Sequence, residues 1–131
     1  MTDRDMREKY LLICGVILMG IGVAFMLLTP VVVAQFLIGI DPSPIVLGLE
    51  RNIGSALFGV GLINVLGRAS NDVVGLKAII NGTIVVLVLT AALDVYMILI
   101  GLFTAIGWGV VVFKAALSAG YVYHLGRVGG A

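Results

Sequence analysis

Six side chains in this 131-residue sequence could do chemistry where lipid is the expected solvent: the ionisable Glu50, Arg51, Asp94 and Lys114 and the amides Asn64 and Asn81. Each stands in or at the edge of a long run of Val, Ile, Leu, Ala and Gly. Ionisable groups at membrane depth are costly, so they are read first as parts of ion or proton paths, ligand sites or buried pairs. At about 1.5 Å per helical residue, Glu50, Arg51 and Asp94 fall at similar depths near one end of their helices. Neighbours in a helix point about 100° apart, so Glu50 and Arg51 cannot share a face. The preferred arrangement is an Arg51–Asp94 pair that latches two helices; a ligand or proton site and solvated interface residues are the rival readings. Lys114 lies near the middle of the last span. Its Cα–Cβ bond tilts toward the start of its helix, so it is expected to meet a buried partner, a water-filled crevice or lipid. Asn64 and Asn81 are its expected neighbours.

Conventional active-site chemistry is missing. One cysteine, Cys14, cannot form an intrachain disulfide, and one histidine, His124, cannot supply a metal cage or a bis-histidine haem site. No phosphate loop, zinc spacing, nucleophile elbow or dinucleotide fingerprint occurs. Eight basic and seven acidic residues leave a net charge of +1, which offers no field for nucleic acid. The expectation is therefore no catalytic set, no metal site and no cofactor. Cys14 beside Gly15 reads as a small packing residue, His124 as a favourable charge at a helix end, and Trp108 as packing or an interface anchor.

The elements that hold these residues follow from composition. Hydrophobic residues make up 61% of the chain and charged ones 11%. That is about 80 apolar residues, or four spans of the roughly 20 that a bilayer-crossing helix needs. A soluble domain and a disordered chain are both excluded. The predicted spans are about 10–28, 45–66, 73–99 and 103–123, in a single transmembrane domain over 1–131. The first run is longer than the apolar region of a signal peptide and follows a mixed-charge head that carries three acids, Asp3, Asp5 and Glu8, so it reads as a retained helix. Thr29-Pro30 breaks it, and Val31 to Ile38 reads as a short interfacial segment. Gly39 and Asp41-Pro42-Ser43-Pro44 form a turn, with Ser43 as the cap and Pro44 at the first helical position. Asp72 caps the third span, Gly101 marks a tight turn, and the tail from Gly126 is expected to be mobile. Short connections then predict an all-α, antiparallel bundle of four transmembrane helices.

Arg4, Arg7, Lys9, Arg68, Lys77 and Arg127 fall on one side of this arrangement and Arg51 on the other. The positive-inside rule places both termini in the cytoplasm, and the tyrosines at positions 10, 121, 123 and 96 mark the two boundaries. Small residues that repeat on one helix face mark close packing in lipid. The second span carries Gly48, Asn52, Ser55 and Gly59 on one face and Glu50, Gly54, Leu57, Gly61 and Asn64 on the roughly opposite one, which predicts packing on two sides. On the fourth span, Gly101, Ala105 and Gly109 repeat at four-residue intervals, followed by Ala116 and Gly120. The third has Thr83, Thr90 and Asp94 on one face. The first has Gly15, Gly20, Gly22 and Ala24.

The stretch Arg51-Asn52-Ile53-Gly54-Ser55-Ala56-Leu57-Phe58-Gly59-Val60-Gly61-Leu62, after a proline-containing turn, resembles the second helix of small four-span bacterial membrane proteins of uncharacterised function. Gly120-Tyr121 is similar to the Gly-Tyr segment that ends their fourth helix. The likeness extends over about residues 10–125 and implies a fold and a bacterial inner membrane, with no activity and no site residues. Three functions are expected in order: a non-catalytic accessory module packing against itself or another membrane protein, a small homo-oligomeric transporter or channel, and a lipid- or quinone-binding protein. Enzyme activity ranks below all three. The partners expected are membrane lipid and a second copy or another membrane protein.

Overall fold

Thr2 starts the first helix by a reciprocal cap: its hydroxyl accepts from the Asp5 N–H, and the Asp5 carboxylate accepts from the Thr2 N–H at 2.9 Å. The computed structural model describes residues 2–39 and 43–129. It is all-helical, with α1 Asp3–Leu27, α2 Thr29–Phe36, α3 Pro44–Gly67, α4 Val73–Leu99 and α5 Ile106–Leu125. Asp41 and Pro42 of the expected turn, and Gly130 and Ala131 of the expected tail, lie outside the described residues. Ser43 caps α3 by accepting from Val46 N–H, with Pro44 in the first turn. Asp72 caps α4 by accepting from the N–H groups of Val74 and Gly75, each at 3.0 Å.

Four of the helices, all but α2, are long and apolar enough to cross a membrane. Their large apolar side chains are widely exposed, among them Leu27, Leu66, Val74 and Val112. Exposed apolar surface on every long helix is what a lipid solvent permits and water does not. Lipid is as apolar as leucine, so helices attract one another in it through close packing and hydrogen bonds.

The closest packing joins α1 to α3. A Cβ on Gly61 would stand 2.5 Å from the Gly15 carbonyl oxygen, and one on Gly22 would stand 2.5 Å from that of Gly54. Both helices carry their glycines seven residues apart, and the pairing of Gly15 with Gly61 and Gly22 with Gly54 shows that they run in opposite directions. No side chain larger than hydrogen fits at these four positions unless the backbones separate.

The second close pair is α4 with α5, joined by a turn in which Gly101 adopts φ +77°. The expected start of the last helix at 103 is corrected to Ile106. Residues 102–104 pair instead with the chain leaving α2: Ile38 N–H donates to Leu102 O at 2.9 Å, and Thr104 N–H donates to Phe36 O at 2.9 Å. This bridge ties the α2 end of one helix pair to the α4–α5 turn of the other. At the opposite end, Arg127 on the tail pairs with Asp3 at 2.5 Å, and Val128 is buried in the same apolar cluster as Leu76 of α4. Between the ends, Leu11, Cys14, Leu18, Ile80, Leu87 and Tyr121 fill the core.

Candidate functional site

Asp94 and Lys114 form the central polar contact, with Lys114 Nζ donating to Asp94 Oδ2 at 2.5 Å. Their side chains are 14% and 17% exposed, respectively. Asp94 lies about one and a half turns before the end of α4, and Lys114 about 12 Å into α5. The Lys114 stem leaves its backbone toward the start of α5 and so climbs the turn that separates the two. The expected Arg51–Asp94 pair is corrected: Arg51 is exposed and makes no ion pair among the described residues. The reason is helix rotation. Glu50, rather than Arg51, turns inward on α3, where it is half-buried and within charge range of Asp94. Two acids and one cation thus share one level.

Asn64 is not a neighbour of Lys114 but part of a second contact. It is fully buried and donates through Nδ2 to Thr83 Oγ1 on α4 at 2.9 Å and to Val60 O at 2.8 Å. The Thr83 hydroxyl in turn donates to Ile79 O at 2.9 Å. The pair bridges α3 and α4, which otherwise leave between them an apolar groove of about 360 Å³ lined by Val60, Ile63, Ile79 and Val86. Thr83→Val removes the acceptor of this cross-helix bond and is expected to cost about 1 kcal/mol, read as a lower unfolding midpoint in detergent. Equal midpoints for the variant and the parent would show that the bond contributes nothing. Asn81 is exposed on α4, away from Lys114.

Of the two expected packing faces on α3, the chain uses one. Gly54, Gly61 and Asn64 are buried, the two glycines against α1. Gly48 and Gly59 have no atom near a would-be Cβ, and Asn52 and Ser55 are exposed. The expected stripe on α5 is likewise corrected as an internal contact. Gly101 belongs to the turn, Ala105 precedes the helix and is exposed, and Gly109 meets nothing. The glycines that α5 does use are Gly107, against Ile98 and Phe103, and Gly120, over which the Tyr10 ring lies.

Sequence reasoning missed a third set of polar groups, assembled between α1 and α5 near the termini. Tyr10 donates to Leu117 O at 2.7 Å, and its ring lies 5.2 Å from that of Tyr121 and 4.7 Å from that of His124. Cys14 sits beside both tyrosine hydroxyls. Tyr121 is fully buried, Cys14, Ser118 and His124 nearly so. The signal was present in the sequence as two helical stripes, Arg7, Tyr10 and Cys14 on α1 and Ser118, Tyr121 and His124 on α5. Nothing local says that the stripes face each other.

No group of three or more His, Cys, Asp or Glu that could hold a metal occurs among the described residues. Trp108 is half-exposed on the outside of α5. Comparison with known protein families, curated proteins and solved structures finds no match.

Proposed function

We propose that this chain is a non-catalytic integral membrane module that associates through the outward face of α3. The observation that carries this reading is the face left over after α1 has packed: Gly48 and Gly59 open, Arg51, Asn52 and Ser55 exposed. An amide facing hydrocarbon lacks hydrogen-bond partners, and glycines on the same face let another helix come close enough to supply them. The Asn52 amide is both donor and acceptor, so the same face on a second copy satisfies it. Gly109 on α5 offers a further open position. In this reading the four long helices form an antiparallel bundle in a bacterial cytoplasmic membrane. α2 lies at the far interface, and both termini are in the cytoplasm with Arg4, Arg7, Lys9, Arg68, Lys77 and Arg127.

Energy transfer between labelled copies in bilayers, followed as the protein is diluted into lipid, tests this. Asn52→Leu is expected to weaken association by ~0.6 to 2 kcal/mol, and Gly48→Leu to weaken it further. A protein that stays monomeric at every lipid ratio, or one whose association ignores both substitutions, refutes the reading.

A further inference from the structure

Four buried polar atoms have no hydrogen-bond partner among the described residues and lie on the facing surfaces of α1 and α5: Arg7 Nε, His124 Nδ1, Tyr121 Oη and Ser118 Oγ. They fall in register. Arg7 is within charge range of His124, Tyr10 packs edge-on against Tyr121, and a further turn along each helix brings Cys14 and Ser118 to the same level. One more turn along α5 from Ser118, on the same face, is Lys114 with its partner Asp94. Thr90 stands one turn from Asp94 on the same face of α4, and Glu50 of α3 lies within charge range of Asp94 at the same level. From His124 to Lys114 the line covers ten residues, about 15 Å or half the hydrocarbon thickness.

Unpaired polar atoms at this depth are costly, and proteins satisfy such atoms with internal water that bridges two to four groups. Hydroxyls and water each accept one proton while releasing another, so a row of them carries a proton without net change in any member. We propose that the α1–α5 face, continued by the Lys114–Asp94 pair and Glu50, is a proton relay within a single copy of the chain. A proton taken up at the His124 imidazole passes through water and the hydroxyls of Tyr121 and Ser118 to the Lys114 amine. That amine has just released its own proton to the Asp94 carboxylate. Asp94 then passes that proton to Glu50 and the far side, returning every group to its starting state.

This goes beyond the association proposed above and does not depend on it. The association uses the outward face of α3, whereas this line of buried groups lies inside the chain. The charges that act on His124 are Arg7, Arg127 and Asp3, and the last two pair with each other.

The test uses the intact protein in vesicles that enclose a pH-sensitive dye, with a potassium gradient and valinomycin to drive proton entry. Protein-dependent acidification is expected, unchanged by sodium or chloride replacement. Tyr121→Phe and Ser118→Ala, which keep the shape of the core, are each expected to slow it about tenfold, as the loss of one hydrogen-bonded link does. Lys114→Met is expected to abolish it, and Asn81→Ala to leave it unchanged. If Lys114→Met does not fold, the two hydroxyl substitutions decide alone. Absence of protein-dependent proton entry, or full rates in both hydroxyl variants, overturns the proposal. Wild-type rates that scale with dilution into lipid would place the passage between copies and overturn it as well.

Discussion

Asp94→Ala is expected to destabilise the protein by about 3 to 5 kcal/mol, because it leaves the Lys114 ammonium at mid-depth without its partner. Among the described residues Asp94 is the carboxylate that Lys114 pairs with, at 2.5 Å, whereas Glu50 forms no ion pair with it. Replacing both residues, as Asp94→Leu with Lys114→Met, is expected to recover most of the loss, for a pair swapped for apolar groups no longer has charges to desolvate. Unfolding in mixed detergent measures all three. The same series separates this pair from the one that residue type alone suggested: coupling between positions 94 and 114 is expected to be large, and between 51 and 94 below about 0.5 kcal/mol. Additivity of Asp94→Ala and Lys114→Ala would mean that the contact does not hold α4 to α5.

The second large effect lies in the glycine register of α1 and α3. Gly61→Ala brings a methyl group to 2.5 Å from the Gly15 carbonyl oxygen and 2.8 Å from the Met19 nitrogen, both backbone atoms of a helix that cannot yield locally. Moving α1 outward relieves the clash only by loosening the contact at Gly22 and Gly54. The expected cost is on the order of 1 to 3 kcal/mol, and more for Gly61→Val, whose branches have no space. Gly20→Ala is the control: nothing lies near its Cβ, and alanine favours the helix by up to ~1 kcal/mol. Thermal unfolding of the three variants orders them. A Gly61→Ala protein as stable as Gly20→Ala would show that α1 and α3 do not depend on backbone approach. Asn52→Leu, by contrast, should leave the unfolding of one copy unchanged, because the Asn52 side chain is exposed and its backbone carbonyl, which accepts from Ser55, is kept.

Local chemistry was legible in the sequence. Apolar runs of membrane-crossing length, a proline after Thr29, Ser43 before Pro44, and Asp72 before an apolar run act through their nearest neighbours, so their effect is written where they stand. The capping role of Thr2 and Asp5 was equally local. What sequence could not decide was the rotation of each helix about its axis. Each of the two faces of α3 offered two glycines, and only the packing of Gly61 against Gly15 and of Gly54 against Gly22 shows which one meets α1. That choice turned Glu50 inward and Arg51 outward, gave Asp94 to Lys114, and left Asn52 on the surface. The start of α5 was decided in the same way, by backbone pairing with Phe36 and Ile38 far back in the chain. The row of orphaned hydroxyl, imidazole and guanidinium groups between α1 and α5 exists only once both stripes face each other. Side-chain types and capping bonds act over one helical turn and are fixed by order in the chain, whereas facing depends on the packing of whole helices against one another, from Asp94 with Lys114, 20 residues apart, to Tyr10 with Leu117, 107 residues apart.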